Sequence, residues 1–213
     1  MNTLIALIRK ETFEDLLAAR GAFFLLVATV VLSGVSVLLV SNTELSLLDD
    51  AEAVYLIAAI TLTLACLLAI LRGSDGFAGE RDRETLEILM LTPATGGRLA
   101  VAKLAGILFT WLIVLVLSIP YLWSVGRAGQ YFRLAVGYLS ITGTLLILIF
   151  GGLALALSAK VKSFKAVLTM GLTLFLFSGS PLLIGASLRQ STAGQILDLL
   201  NPFADALNTL DSA

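Results

Sequence analysis

The chain has 213 residues, of which 58% are hydrophobic, with a formal net charge of −1 and a mean hydropathy of +0.99. That is far too apolar for a soluble domain of this length. With no histidine the chain lacks the commonest metal ligand, general base and proton shuttle, and no metal, cofactor or nucleic-acid partner is expected.

Residues 1–20 come first and read as an amphipathic interfacial helix. Arg9, Lys10, Glu11, Glu14 and Asp15 interrupt the apolar residues, so the segment is not a cleavable signal peptide. Leu4, Ile5, Ile8, Leu16 and Leu17 can lie on lipid while the charges face water. Residues 21–213 then form the membrane domain. No charged residue occurs in Ala22–Thr43, Ala53–Leu71, Leu104–Gly126, Leu134–Ala159 or Ala166–Leu188. A helix needs roughly 20 apolar residues to cross about 30 Å of hydrocarbon. Backbone groups in lipid must bond within their own segment, so these five runs are predicted transmembrane helices. The fold class is all-α, a polytopic helical bundle.

Within the spans the polar groups are hydroxyls: Thr61, Thr63, Thr110, Ser118, Ser140, Thr142 and Thr144. Each is expected to bond to its own helix or a neighbour. Cys66 is mid-span and packs as a small apolar residue. Pro120 and Pro181 mark expected kinks. Gly152 and Ala156 form a small-xxx-small pattern that allows close helix approach. The chain carries no G-x-S-x-G elbow, H-E-x-x-H metal helix or G-x-x-x-x-G-K-[ST] phosphate loop. It is therefore not expected to be an enzyme, nor to bind ATP by a phosphate loop.

Arg9, Lys10, Arg20, Arg72, Arg81, Arg83, Arg98, Lys103, Lys160, Lys162 and Lys165 fall on one side of this threading, and only Arg127, Arg133 and Arg189 on the other. The positive-inside rule predicts a cytoplasmic N-terminus.

The one dense charged loop, residues 73–98, follows the second span. The helix is predicted to continue into water through Asp75–Arg83, where Glu80, Arg81, Asp82, Arg83 and Glu84 alternate in sign. Thr85–Leu91 can form two further turns, ended by Thr92-Pro93. Leu86, Ile88, Leu89, Met90 and Leu91 are more apolar than a loop in water should expose. They lie on the bilayer, fit a groove on another protein, or face their own bundle.

The stretch F-A-G-E-R-D-R-E-T-L-E-I-L-M-L-T-P, followed by R-L-A-V-A-K-L, resembles the cytosolic loop of ABC-2 type transporter permeases. The opening L-I-R-K-E-T-F-E-D-L-L-A-A-R-G-A-F-F is similar to that family's N-terminal connecting helix and first span. In the family this loop carries a coupling helix that docks on a separate ATP-binding subunit. The resemblance carries that docking role to Glu80, Arg83, Thr85, Leu86, Glu87, Leu89 and Pro93. One departure is Glu84, where many relatives have glycine.

The resemblance implies a permease subunit of an ATP-driven exporter in a prokaryotic inner membrane. Its expected partners are an ABC ATPase that binds the ATP, a second permease copy or related permease, and membrane lipid. The haem-exporter B-type permease of cytochrome c maturation is the nearest alternative, weakened by the missing histidine. A non-transporting scaffold that recruits a cytosolic partner is another. The family usually has six spans. Residues 190–213, with Asp198, Asp205 and Asp211, are too short of apolar residues to cross, and are expected to face outward. Either a sixth span follows the sequence given or this member has five.

Overall fold

The computed structural model describes residues 3–14, 19–41, 50–85, 95–125 and 130–183, and every regular element among them is helical. Helix α1 (Thr3–Arg9) widens into a π turn at Lys10–Glu14. Helix α2 is Ala19–Ser41. Helix α3 runs over Asp50–Ser74, passes through a π turn at Asp75–Gly79 and ends in the turn Glu80–Asp82. Helix α4 is Gly96–Val125 and continues through Pro120. Helix α5 comprises Gln130–Tyr138, a π turn at Leu139–Gly143 and Thr144–Lys160. Helix α6 is Phe164–Leu183.

Four of these helices are long and apolar enough to span a bilayer, over Gly21–Leu39, Glu52–Asp82, Gly96–Val125 and Tyr131–Lys160. The described part of the fifth predicted span is a shorter apolar helix, Phe164–Gly179. The helical membrane bundle read from the five uncharged runs is the observed architecture. The predicted outward segment 190–213 and the Leu86–Leu91 part of the loop helix lie outside the described residues.

Helix α3 is the centre of the bundle, touching α2, α4, α5 and α6. Its sequence explains the position. Ala58, Ala65, Cys66, Ala69 and Gly73 are all buried, and their small side chains let neighbouring backbones approach. The closest approach is to α5. A Cβ on Gly73 would lie 2.6 Å from the Gly151 carbonyl oxygen and 2.8 Å from the Ala154 Cβ. Gly151 in turn leaves room for Ile107 and Ala69. The small-xxx-small pair Gly152 and Ala156 takes no part in this contact. No side chain or neighbouring backbone lies within 4 Å of a Cβ built on Gly152, and Ala156 is exposed. The close packing uses the adjacent face of α5, one residue earlier.

Leu32, Ile57, Leu62, Ile70, Leu146 and Ile147 fill the core, while Phe23, Val37, Leu112, Ile141 and Leu176 point outward. A bundle that is apolar inside and out suits a hydrocarbon surround. Hydroxyls in the spans bond as expected: Thr61 to the Ile57 carbonyl, Thr63 to that of Ala59, Thr110 to that of Gly106 and Ser140 to that of Val136. Other bonds cross between helices. Trp111 Nε1 donates to Thr144 Oγ1 at 3.0 Å, and the Ser33 and Tyr121 hydroxyls meet at 2.8 Å. Cys66 is fully buried.

The two ends of the bundle differ. At one, Tyr55 packs on Tyr131 and Trp123 on Phe132, and the Tyr and Trp rings are amphipathic and of the kind enriched at membrane interfaces. At the other lie the end of α3, the start of α4, helix α1 and the turn Val161–Ser163, and here most of the described charges gather.

Two expectations about that charged end need correction. The prolongation of α3 does not run into water: Gly76, Ala78 and Gly79 are buried, and the π turn packs against α5. Nor do all charges of the N-terminal segment face water. Glu11 and Thr12 are buried, and α1 with its π turn packs against α4. The reason is the same in both cases. Each segment ends in charge, but a buried partner on α4 waits for it.

Candidate functional site

The charged loop is rooted in the last turns of α3. Beyond Arg72 the helix widens at Asp75–Gly79, and a π turn of this kind shifts every later side chain around the helix axis relative to an uninterrupted α-helix. After it, four neighbouring charges each find a different partner. Glu80 Oε1 accepts a bond from Lys103 Nζ at 2.7 Å. Arg81 Nη1 donates to the Val161 carbonyl at 2.9 Å. Asp82 Oδ2 accepts from the Phe164 backbone N–H at 3.0 Å, satisfying an orphan donor at the start of α6. Arg83 Nη2 reaches back across the π turn to Asp75 Oδ1 at 2.6 Å. This last pair is about two-fifths exposed, so it orients more than it stabilises.

The alternating-sign run is thus a set of braces to α4 and to the α5–α6 turn. One more tie, from the Phe77 N–H to Ser158 Oγ at 3.3 Å, holds the π turn itself to α5.

The chain then stops being helical in a defined way. The Glu84 N–H bonds to the Arg81 carbonyl at 3.1 Å and the Thr85 N–H to the Glu80 carbonyl at 2.9 Å. Thr85 Oγ1 donates to the same Glu80 oxygen at 3.1 Å. This nested pair of bonds is a Schellman cap, which needs a left-handed residue at its turn. That residue is Glu84, at φ 60°. A side chain in this region costs roughly 1–2 kcal/mol that glycine avoids. The departure noted in the sequence therefore has a physical meaning: glycine suits this position because the cap demands it. Glu84→Gly is expected to stabilise the loop root by about 1 kcal/mol, read as slower proteolysis at this turn in the purified protein. Faster cleavage would mean that the left-handed cap is absent.

Lys103 is the residue that sequence reading missed. It was counted with the charges on one flank of the spans, yet its side chain is only 4% exposed. Its Nζ lies 3.0 Å from Glu11 Oε1 and 2.7 Å from Glu80 Oε1, and 5.6 Å from the centre of the Phe77 ring. Its stem runs past Gly76, where a Cβ would come within 3.5 Å of Lys103 Cδ. Gly106, one turn further along α4, provides the seat for α1: a Cβ there would stand 3.3 Å from the Glu11 Cβ. One ammonium group thus joins three segments distant in sequence. The signal available was thin: a lone lysine inside R-L-A-V-A-K-L-A-G, with nothing to name its partners.

Beside Lys103 lies a cleft of about 220 Å³, lined by Lys10, Glu11, Arg72, Asp75, Glu80 and Arg83 among others. Glu80 Oε2 is buried there without a hydrogen-bond partner among the described residues. No three metal-ligating side chains converge among those residues either.

Of the residues expected to dock a partner, Glu80, Arg83 and Thr85 come together at the root of the loop. Leu86, Glu87, Leu89 and Pro93 lie outside the described residues. Comparison with curated proteins and with solved structures gives no match. Comparison with protein families does: residues 4–212, nearly the whole chain, match the family described as ABC-2 family transporter protein, and the chain belongs to that family.

Proposed function

We infer that this permease subunit serves an ATP-driven exporter, with a separate ATPase docking on the 80–93 loop from the cytoplasm. Leu86, Glu87, Leu89 and Pro93 form the docking surface. Glu80, Arg83 and Thr85 set the direction in which the loop leaves α3. The observation that carries the reading is the bracing of that root, where Glu80, Arg81, Asp82 and Phe77 bind α4, the Val161 carbonyl, the start of α6 and α5. A push on the loop by a closing ATPase dimer then reaches several spans at once. A second permease copy, or a related permease, completes the pathway, since one bundle of this size encloses little space.

The orientation rests on the lysine and arginine asymmetry, which puts α1 and the charged end in the cytoplasm of a prokaryotic inner membrane. One experiment tests docking and orientation together. Purified partner ATPase is added to inside-out and to right-side-out vesicles that carry the chain. Binding with raised ATP turnover is expected on inside-out vesicles alone. Binding to right-side-out vesicles overturns the orientation, and unchanged turnover on both overturns the coupling.

A further inference from the structure

We propose that Lys103 is a positioning residue that makes helix α1 a moving part of the drive unit, by holding it to the root of the docking loop. The proposal rests on the functional reading above and extends it to a segment that reading does not use.

Three observations converge on it. First, Lys103 is shared: Nζ pairs with Glu11 at 3.0 Å and with Glu80 at 2.7 Å, and all three groups are largely withdrawn from water. Charges in such surroundings are screened weakly and are costly to separate, so the segments that carry them move together. Second, both carboxylates are presented by π turns. Glu11 lies within Lys10–Glu14, and Glu80 directly follows Asp75–Gly79. A π turn is a weaker helical arrangement that recurs at functional sites, and each one here sets the angle at which its carboxylate meets α4. Third, the contact is built for close seating. A Cβ on Gly106 would stand 3.3 Å from the Glu11 Cβ and 3.4 Å from its carbonyl oxygen, so glycine there lets the π turn of α1 settle on α4 beside Lys103.

In mechanical terms, α3 and the loop supply the push and Lys103 hands it to α1 across the face of α4. Without the ammonium group, Glu11 and Glu80 lose the cation they share, and the direct tie between α1 and the loop root is gone. An ordinary structural ion pair would stabilise α1 but would not make its position follow nucleotide state. That difference is what the experiment reads.

The test uses the full complex of the chain with its ATPase in lipid nanodiscs, in a Cys66→Ala background. Spin labels are placed at Ile5→Cys on the exposed side of α1 and at Glu84→Cys on the loop root, and their separation is measured without nucleotide and with trapped ATP. With Lys103 present, the separation is expected to be the same in both states, and Lys103→Arg should preserve this. Lys103→Met should let the separation change on ATP trapping. Because that variant removes the cation shared by two largely buried carboxylates and risks misfolding, the neutral triple variant Glu11→Gln, Glu80→Gln, Lys103→Met is measured beside it and should behave in the same way. A nucleotide-independent separation in the neutral variant, with the ATPase still bound, overturns the link and leaves the docking reading standing. Loss of the ATPase from the neutral variant alone also overturns it, since the triad then holds the docking surface rather than α1. Failure of the unsubstituted chain to hold the ATPase overturns both.

Discussion

Replacing Leu86 or Leu89 by aspartate is expected to strip the ATPase from the complex while leaving membrane insertion intact. Both leucines belong to the docking surface proposed above, and an unpaired carboxylate pushed into an apolar groove costs several kcal/mol. At about 1.4 kcal/mol per tenfold change in affinity, a 3 kcal/mol penalty weakens docking by roughly a hundredfold. Glu87→Ala should act more mildly, within about 1 kcal/mol, if its ion pair is exposed to water. Co-purification of a tagged ATPase with each variant, at matched membrane expression, reads the difference. Wild-type stoichiometry and turnover in both Leu→Asp variants would reduce the 80–93 segment to an ordinary connection.

The second large effect is expected inside the bundle. Gly73→Val places a branched side chain where a single Cβ already meets the Gly151 carbonyl oxygen at 2.6 Å and the Leu155 backbone nitrogen at 3.0 Å. Backbone atoms cannot rotate aside, so α3 and α5 must separate. The cost should reach or exceed the roughly 1–3 kcal/mol usual for overpacking. The control is Gly152→Val, on a face of α5 where an added Cβ meets nothing within 4 Å. Thermal loss of the monodisperse peak in detergent should come many degrees earlier for Gly73→Val than for Gly152→Val. Equal unfolding temperatures would contradict the α3–α5 contact described here.

The contrast between these two glycines shows what kind of information each level holds. Gly152 with Ala156 has the spacing of a packing motif, and Gly73 with Gly151 has no spacing at all, because the two lie on different helices. Spacing along one helix shows which residues share a face. It does not show which face meets a neighbour, and that is decided by the rotation of α5 against α3.

Glu84 lies between the two cases. Its difference from glycine was visible in the sequence, but the reason became legible only with the bonds from Glu84 and Thr85 back to Arg81 and Glu80.

The helical membrane bundle and the order of its helices were legible in the sequence, because hydrocarbon imposes a rule that does not depend on partners. Uncharged apolar runs of sufficient length must be helical and must cross, and Cys66, Thr61 and Thr110 behave as that rule requires. The location of the charged loop was equally plain, since dense charge cannot enter lipid. Charge, however, has two ways of being satisfied, by water or by an opposite charge, and sequence does not distinguish them. The run Glu80–Arg83 and Glu11, amid Arg9, Lys10, Glu14 and Asp15, had the look of solvated surface. Tertiary structure brought Lys103 between Glu11 and Glu80 and turned those two charges inward, because an ion pair acts over a few ångströms in space, whatever the separation along the chain.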